Sequence, residues 1–249
     1  MLSTGLNGLK CFVSGIEGMD VSSQTLESPT PRHGMKGDEL VRHLRSAIQK
    51  GRYAPGQRLV EIDLTEELGI SRSLLREAFR RLSAEGLLEI VPNRGALVHR
   101  LSLKEALELF QIRMELEALA ARLAAQNMGD PATRQTFETD VAAIWEADAR
   151  LSTSAYVVEN EKFHAAVFSA SGNEQLSLVN RQLQLSLIMA QISSSLTPEI
   201  MAQSNSEHRA IAKAVLECDT AAADAAARAH LGRAQSFVSQ MPENVFRSE

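Results

Sequence analysis

Cysteine is almost missing from this chain: Cys11 and Cys218 are the only two among 249 residues. One falls in a polar leader and the other in a late helix-like run, which excludes a disulfide framework and a zinc ribbon. A reducing cytoplasm is the expected compartment. Aromatic residues are also scarce, at 4% against 44% hydrophobic, so the core must be aliphatic and mostly helical. No apolar run approaches the roughly 20 residues that span a bilayer, and candidates such as "LSLIMAQI" are broken by Ser and Gln. No membrane role is expected. From Ser102 onward there is no strand-like alternation, and an HExxH metalloprotease motif occurs nowhere.

Residues 1–35 carry Gly, Ser, Thr and Pro without periodicity and are expected to form a disordered leader, with Met19 or Met35 as alternative starts. Three further regions follow: 36–101, 102–240 and a short C-terminal tail, 241–249. The net charge of −5 hides an asymmetry. Residues 36–100 hold 12 Lys or Arg against 9 Asp or Glu, whereas 101–249 hold 12 against 19. A basic module is joined to an acidic one, and the basic half suits a nucleic acid.

In the basic module, Leu40, Val41, Leu44, Ala47 and Ile48 follow helical spacing behind Asp38, a candidate cap, and Gly51 ends the run. "YAPGQRL" turns the chain, and a second short helix is expected from about Glu61 to Leu68, before Gly69. Ser71 is a good N-cap for a third helix reaching about Glu85. Leu75, Ala78, Phe79 and Leu82 share one face of it, and Ser73, Arg76, Glu77 and Arg80 point the other way. "LLEIV" and "ALVH", joined by "PNRG", predict a two-stranded hairpin with Asn93, Arg94 and Gly95 at its tip. The sum is a winged helix-turn-helix. Its third helix would enter the major groove, where Arg72, Arg76 and Arg80 can donate to guanine or to phosphates.

The stretches "LRSAIQKGRYAPGQRL", "LTEELGISRSLLREAFRRLSAEGLL" and "PNRGALV" resemble the GntR transcription regulators, in order and with that family's spacing. The resemblance implies DNA contacts from Ser71, Arg72, Ser73 and Arg76 and a wing contact near Asn93 to Gly95. Two positions depart from the family pattern: Ile62 replaces a common basic residue, and "SRSLLRE" stands where "SRTPVRE" is usual.

The acidic module reads as six helices, about 102–127, 131–151, 154–171, 174–195, 199–218 and 220–240, so the fold class is mainly α: a winged helix-turn-helix followed by an all-helical bundle. Three of the chain's six histidines, His164, His208 and His230, lie on three of these helices. At 100° per residue each falls on an apolar face, and Asn160 shares the inward stripe of His164. Burying that many polar heads in one core is costly unless a common partner, such as a divalent metal, satisfies them. Glu161 lies at the edge of the stripe. Arg113 also points inward; it either grips a ligand carboxylate or pairs internally with Glu117.

"QIRMELEALAARLAA", "NEKFHAAVFSASGNEQL" and "EHRAIAKAVLECDTAAADAAARAHL" resemble the FCD effector domain of the FadR subfamily, and a count of six helices resembles its VanR-like branch. The resemblance implies that Asn160, His164, His208 and His230 hold a metal. Asparagine stands where aspartate is commoner, so the ion would keep its full charge and an anionic ligand could complete it. Imidazole-rich ligation favours zinc or nickel. The function expected is a metabolite-responsive regulator, with repression the expected mode, that binds pseudo-palindromic operator DNA as a homodimer and senses a small carboxylate. A second apolar side of the first effector helix, Ile112, Leu116, Leu119 and Leu123, would face either a partner or the reader. The rival reading is a helical metal-dependent enzyme fused to a DNA-binding module. Against it, neither Glu159 nor Glu161 sits where a general base would be needed.

Overall fold

Helix α1 (Gly37–Gln49) opens the described part of the chain and buries the expected face of Leu40, Val41, Leu44, Ala47 and Ile48. The computed structural model describes residues 36–92, 94–146, 152–183 and 185–248. The leader 1–35, the wing-tip Asn93 and the 147–151 end of an expected helix lie outside the described residues. Asp38 does not cap α1. Lys36 is the N-cap, and Asp38, in the first turn, accepts a 2.7 Å bond from Arg81 on the third helix. A carboxylate there suits the positive helix N-terminus whether or not it caps.

Helices α2 (Glu61–Leu68) and α3 (Arg72–Ala84) follow. Gly69, at φ 62°, ends α2 in the left-handed region, and Ser71 caps α3 by accepting from the Leu74 N–H. The wing has three strands, one more than the expected hairpin. β1 (Arg58–Leu59) pairs antiparallel with β3 (Gly95–Val98), which also pairs with β2 (Leu88–Val91), in the order β1-β3-β2. Two residues are too few to show alternation, so β1 could not be read from pattern. Gly95 has φ +90°, and a Cβ there would collide with the Leu59 carbonyl oxygen; only glycine lets β3 close on β1.

The helical region comprises α4 (Leu103–Asn127), α5 (Pro131–Asp140), α6 (Thr153–Ala170), α7 (Glu174–Gln182), α8 (Leu185–Ile192), α9 (Pro198–Leu216) and α10 (Thr220–Ser239). A reciprocal capping box, Ser102 with Glu105, starts α4. Asp130 with Pro131 starts α5, and Thr197 with Pro198 starts α9. The helix expected over 131–151 stops at Asp140 and gives way to a 3-10 turn, Ala142–Ile144, whose Ile144 carbonyl accepts from Asn205 and Arg209 of α9. Side chains from another helix satisfy a carbonyl that a continued helix would have used. The helix expected over 174–195 is two, α7 and α8, so seven α-helices lie beyond residue 102 among the described residues and the count does not select a branch of the family.

Two apolar cores result. One is built from α4, α5, α6, α9 and α10, with Phe137, Phe163, Val167, Phe168 and Val215 among its buried members. The other joins the winged helix to α8, the end of α10 and the C-terminal residues Met241 and Phe246.

Candidate functional site

On the winged helix, Ser71, Arg72 and Ser73 stand exposed at the start of α3, with Arg76 and Arg80 one and two turns on. Burial of Leu75, Ala78, Phe79 and Leu82 against α1 fixes which way they face. Arg76 donates through Nε to both oxygens of Glu61, at 3.0 and 2.9 Å, and Arg80 pairs with Glu77. Arg72 has no ion pair among the described residues. Exposed pairs of this kind are worth about 0–1 kcal/mol, so Arg76 and Arg80 are easily released to a phosphate or a base. Arg94 is exposed at the wing, its carbonyl accepting from Arg58 at 2.8 Å. Gly95 is buried at the base of β3 and shapes the wing. Asn93 lies outside the described residues.

The second constellation is inside the helical region. His164 comes from α6, His208 from α9 and His230 from α10, all at most 5% exposed, with ligand-type ring nitrogens within 4.8 Å of one another. The His164 and His208 ring centroids are 5.1 Å apart, those of His208 and His230 4.7 Å. Phe163 stacks on His208 at 4.2 Å and holds its ring plane. Asn160, one turn before His164 and also buried, lines the same cavity with Arg113, Tyr156, His164, Ser204 and His230. Glu161 is exposed.

Two carboxylates orient the imidazoles. His164 Nδ1 lies 2.6 Å from Glu117 Oε2, and His230 Nδ1 lies 2.8 Å from Glu207 Oε2. A carboxylate only accepts, so the ring proton sits on Nδ1, and a neutral ring turns its Nε2 lone pair toward the other histidines. Burial, opposed by Glu117, lowers the His164 imidazole to about 4, so it is neutral near pH 7. Burial by itself would raise the Glu117 carboxyl, but His164 and Arg113 outweigh it and hold it well below the usual range. Glu207 behaves alike: burial raises it, yet hydrogen bonds from His230, Arg233 and Gln203 bring it down to about 2. His164 Nε2 is buried and has no hydrogen-bond partner. An acceptor left that way carries a desolvation cost of about 1–3 kcal/mol.

Arg113 makes the internal pair with Glu117, one of its two expected alternatives. Its Nε donates to Glu117 Oε1 at 2.8 Å, with both side chains buried, and it still lines the cavity. Sequence reasoning saw Glu117 only as an ion-pair partner for Arg113 and missed Glu207 altogether. The sole local signal for Glu207 was its place beside His208, and it serves His230 instead.

The pattern of bacterial regulatory proteins, gntR family, matches residues 36–98, and the FCD domain matches residues 108–233. The "Probable D-xylose utilization operon transcriptional repressor" of Paenarthrobacter nicotinovorans is 33% identical over 217 residues, 86% of this chain and 91% of that protein. The chain belongs to the GntR family of bacterial regulators. The transcriptional repressor GlaR of Escherichia coli K12 is 27% identical over 203 residues, 76% of this GntR-family chain and 90% of GlaR. Among solved structures, E. coli McbR/YncC superposes with a TM-score of 0.70 at 19% identity, covering 82% of this chain and 97% of that one. A GntR protein from Rhodococcus sp. RHA1 gives 0.67 at 24%, covering 83% and 98%. These two establish the shared fold. The families and relatives are transcription regulators and not enzymes, so this GntR-family chain is a transcription regulator with an FCD domain. Among the described residues no helix is long and apolar enough to cross a membrane.

Proposed function

We propose that this regulator holds a divalent ion through His164, His208, His230 and Asn160, and that a small organic acid binding beside the ion changes how a homodimer grips a pseudo-palindromic operator. The observation that carries the reading is the meeting of three buried imidazoles from three helices, two with Nδ1 engaged by a carboxylate. The donor set fits a metal. His164 Nε2 is a buried acceptor with no hydrogen-bond partner, the ligand-type nitrogens of the three histidines lie within 4.8 Å of one another, and such an imidazole set would favour zinc or nickel. An ion held there would supply positive charge to an anion.

The chain's own residues supply the rest. Glu117 and Glu207 are engaged by Arg113 and Arg233, so their charge is largely balanced and leaves room for an acid's charge. Arg113 uses Nε on Glu117, leaving its terminal amino groups for a ligand carboxylate. Phe110, Met189, Ile192 and Phe237 give the cavity apolar walls. A thermal-shift screen of small carboxylates, with and without chelator, tests the pairing of acid and metal. Stabilisation that survives complete chelation would contradict it.

For DNA, Ser71, Arg72, Ser73, Arg76 and Arg80 form the reading face and Asn93, Arg94 and Gly95 the wing, with the cytoplasm as the working compartment. Arg72→Ala or Arg76→Ala should each weaken a cognate operator by about 1–3 kcal/mol if the guanidinium reads a base, and by less if it touches only phosphate. Gel-shift titration at fixed salt measures this, and unchanged affinity in a folded double variant removes the assignment. Ile112 is 47% exposed, while Leu116, Leu119 and Leu123 pack partly into the helical core and not against the winged helix. That favours a partner chain for this face. Light scattering should report about twice the 27.2 kDa chain mass; a monomer that binds a half-site with full affinity contradicts it.

A further inference from the structure

Leu101, in the linker between β3 and α4, has every backbone hydrogen-bonding group occupied by side chains or segments from far along the chain. Its N–H donates to Gln191 Oε1 at 3.0 Å, and its carbonyl accepts from Gln191 Nε2 at 2.9 Å and from the Arg247 N–H at 3.0 Å. Gln191, on α8, is buried. From the other side, residues 244–247 cross the linker as a strap. The Arg100 guanidinium donates to the carbonyls of Asn244 and Val245, Arg247 reaches Glu105 at 3.1 Å, and Phe246 is buried in the core that contains the winged helix.

Both arms of this clamp begin in the wall of the histidine cavity. α8 contributes Met189 and Ile192 to that wall, and α10, which runs into the strap, contributes Ala234 and Phe237. Ile192 belongs at once to the cavity wall and to the apolar core of the winged helix. The cavity measures about 40 Å³, room for about three waters at 10–15 Å³ each. An organic acid of more than a few heavy atoms therefore displaces part of the lining, to which α4, α6 and α9 contribute as well as α8 and α10.

We infer that Gln191 is a positioning residue which, with the 244–247 strap, clamps the Leu101 backbone and carries displacement of the cavity wall to the winged helix. The inference rests on the reading that the cavity takes a carboxylate beside a metal. The physical basis is a continuous set of hydrogen bonds and packed side chains between ligand site and linker, biased by whatever fills the cavity.

The test uses the zinc-loaded full chain, an operator duplex selected from random DNA, and acetate, malonate and succinate as probes of increasing size. In the wild type, the acid that binds best should change operator affinity by about 10-fold, and amide exchange at Leu101 should change more with longer acids. Gln191→Ala should keep acid affinity and acid-free operator affinity within about 3-fold, yet reduce the operator response to under about 2-fold. Arg100→Ala, which loosens the strap without touching the cavity, should at least halve the response and serves if Gln191→Ala fails to fold. A full response in both variants overturns the clamp, as does a wild type that binds acid without any operator response. If no acid binds the zinc-loaded wild type, or His164→Ala binds acids equally well, the metal-site reading fails first and the clamp falls with it.

Discussion

Replacing Glu117 with alanine is expected to destabilise the fold by about 3–5 kcal/mol, the usual cost of removing one partner from a buried ion pair. The carboxylate is only 3% exposed and serves two groups at once, Arg113 at 2.8 Å and His164 Nδ1 at 2.6 Å. Its loss strands a buried guanidinium and frees His164 to choose the other tautomer, so metal affinity should fall about 10- to 100-fold as well. Urea unfolding with parallel zinc titration measures both. The sign of the pH dependence follows from the shifts. The Glu117 carboxyl is held low in the fold, so its contribution is complete above the unfolded carboxyl range near 4.3 and fades as pH falls below it. The His164 imidazole is lowered to about 4, so the metal-free chain should also lose stability between about pH 6.5 and 4, where only the unfolded imidazole takes up a proton. Glu117→Ala should show a shallower acid limb than wild type. An unchanged midpoint at pH 7 would mean that the pair is not held as described.

Chelation of the metal-loaded protein, or His208→Ala, should produce the second large effect. A ligand present at 100 to 1,000 times its Kd stabilises the native state by about 2.7–4.1 kcal/mol. For a chain of this size that is a fall in Tm of roughly 5–15 °C on removal. His208 is the informative position because the Glu117 and Glu207 carboxylates serve the other two histidines, so the variant leaves both of those pairs intact. The variant should melt near the chelated wild type, and chelator should then shift it no further. A chelator response equal to that of wild type would place the ion elsewhere.

What could be read from sequence follows a physical divide. Faces set by local periodicity were legible: the buried stripe of α3, the Ser71 cap, and the inward placement of His164, His208 and His230 all depend on residues a few positions apart. Pairings across long separations were not. Glu117 meets His164 across 47 positions and Glu207 meets His230 across 23, and neither leaves a periodic trace. Glu207 is instructive, since it neighbours one histidine in sequence and supports another in space. The break between α7 and α8 carries no Gly or Pro to announce it. The docking of Phe246 beneath the linker comes from a tail whose composition suggested nothing beyond an end. β1 escaped notice because it exists through its pairing to β3, which Gly95 permits.

If the histidine site senses the effector, calorimetry of acid binding will separate metal-loaded from metal-free protein. With metal content measured in each sample, the zinc-loaded wild type should bind a small carboxylate. The stripped protein and His208→Ala should bind it at least about 10-fold more weakly. If metal-free protein binds the acid as tightly as loaded protein does, the ion is structural and the sensing mechanism is wrong.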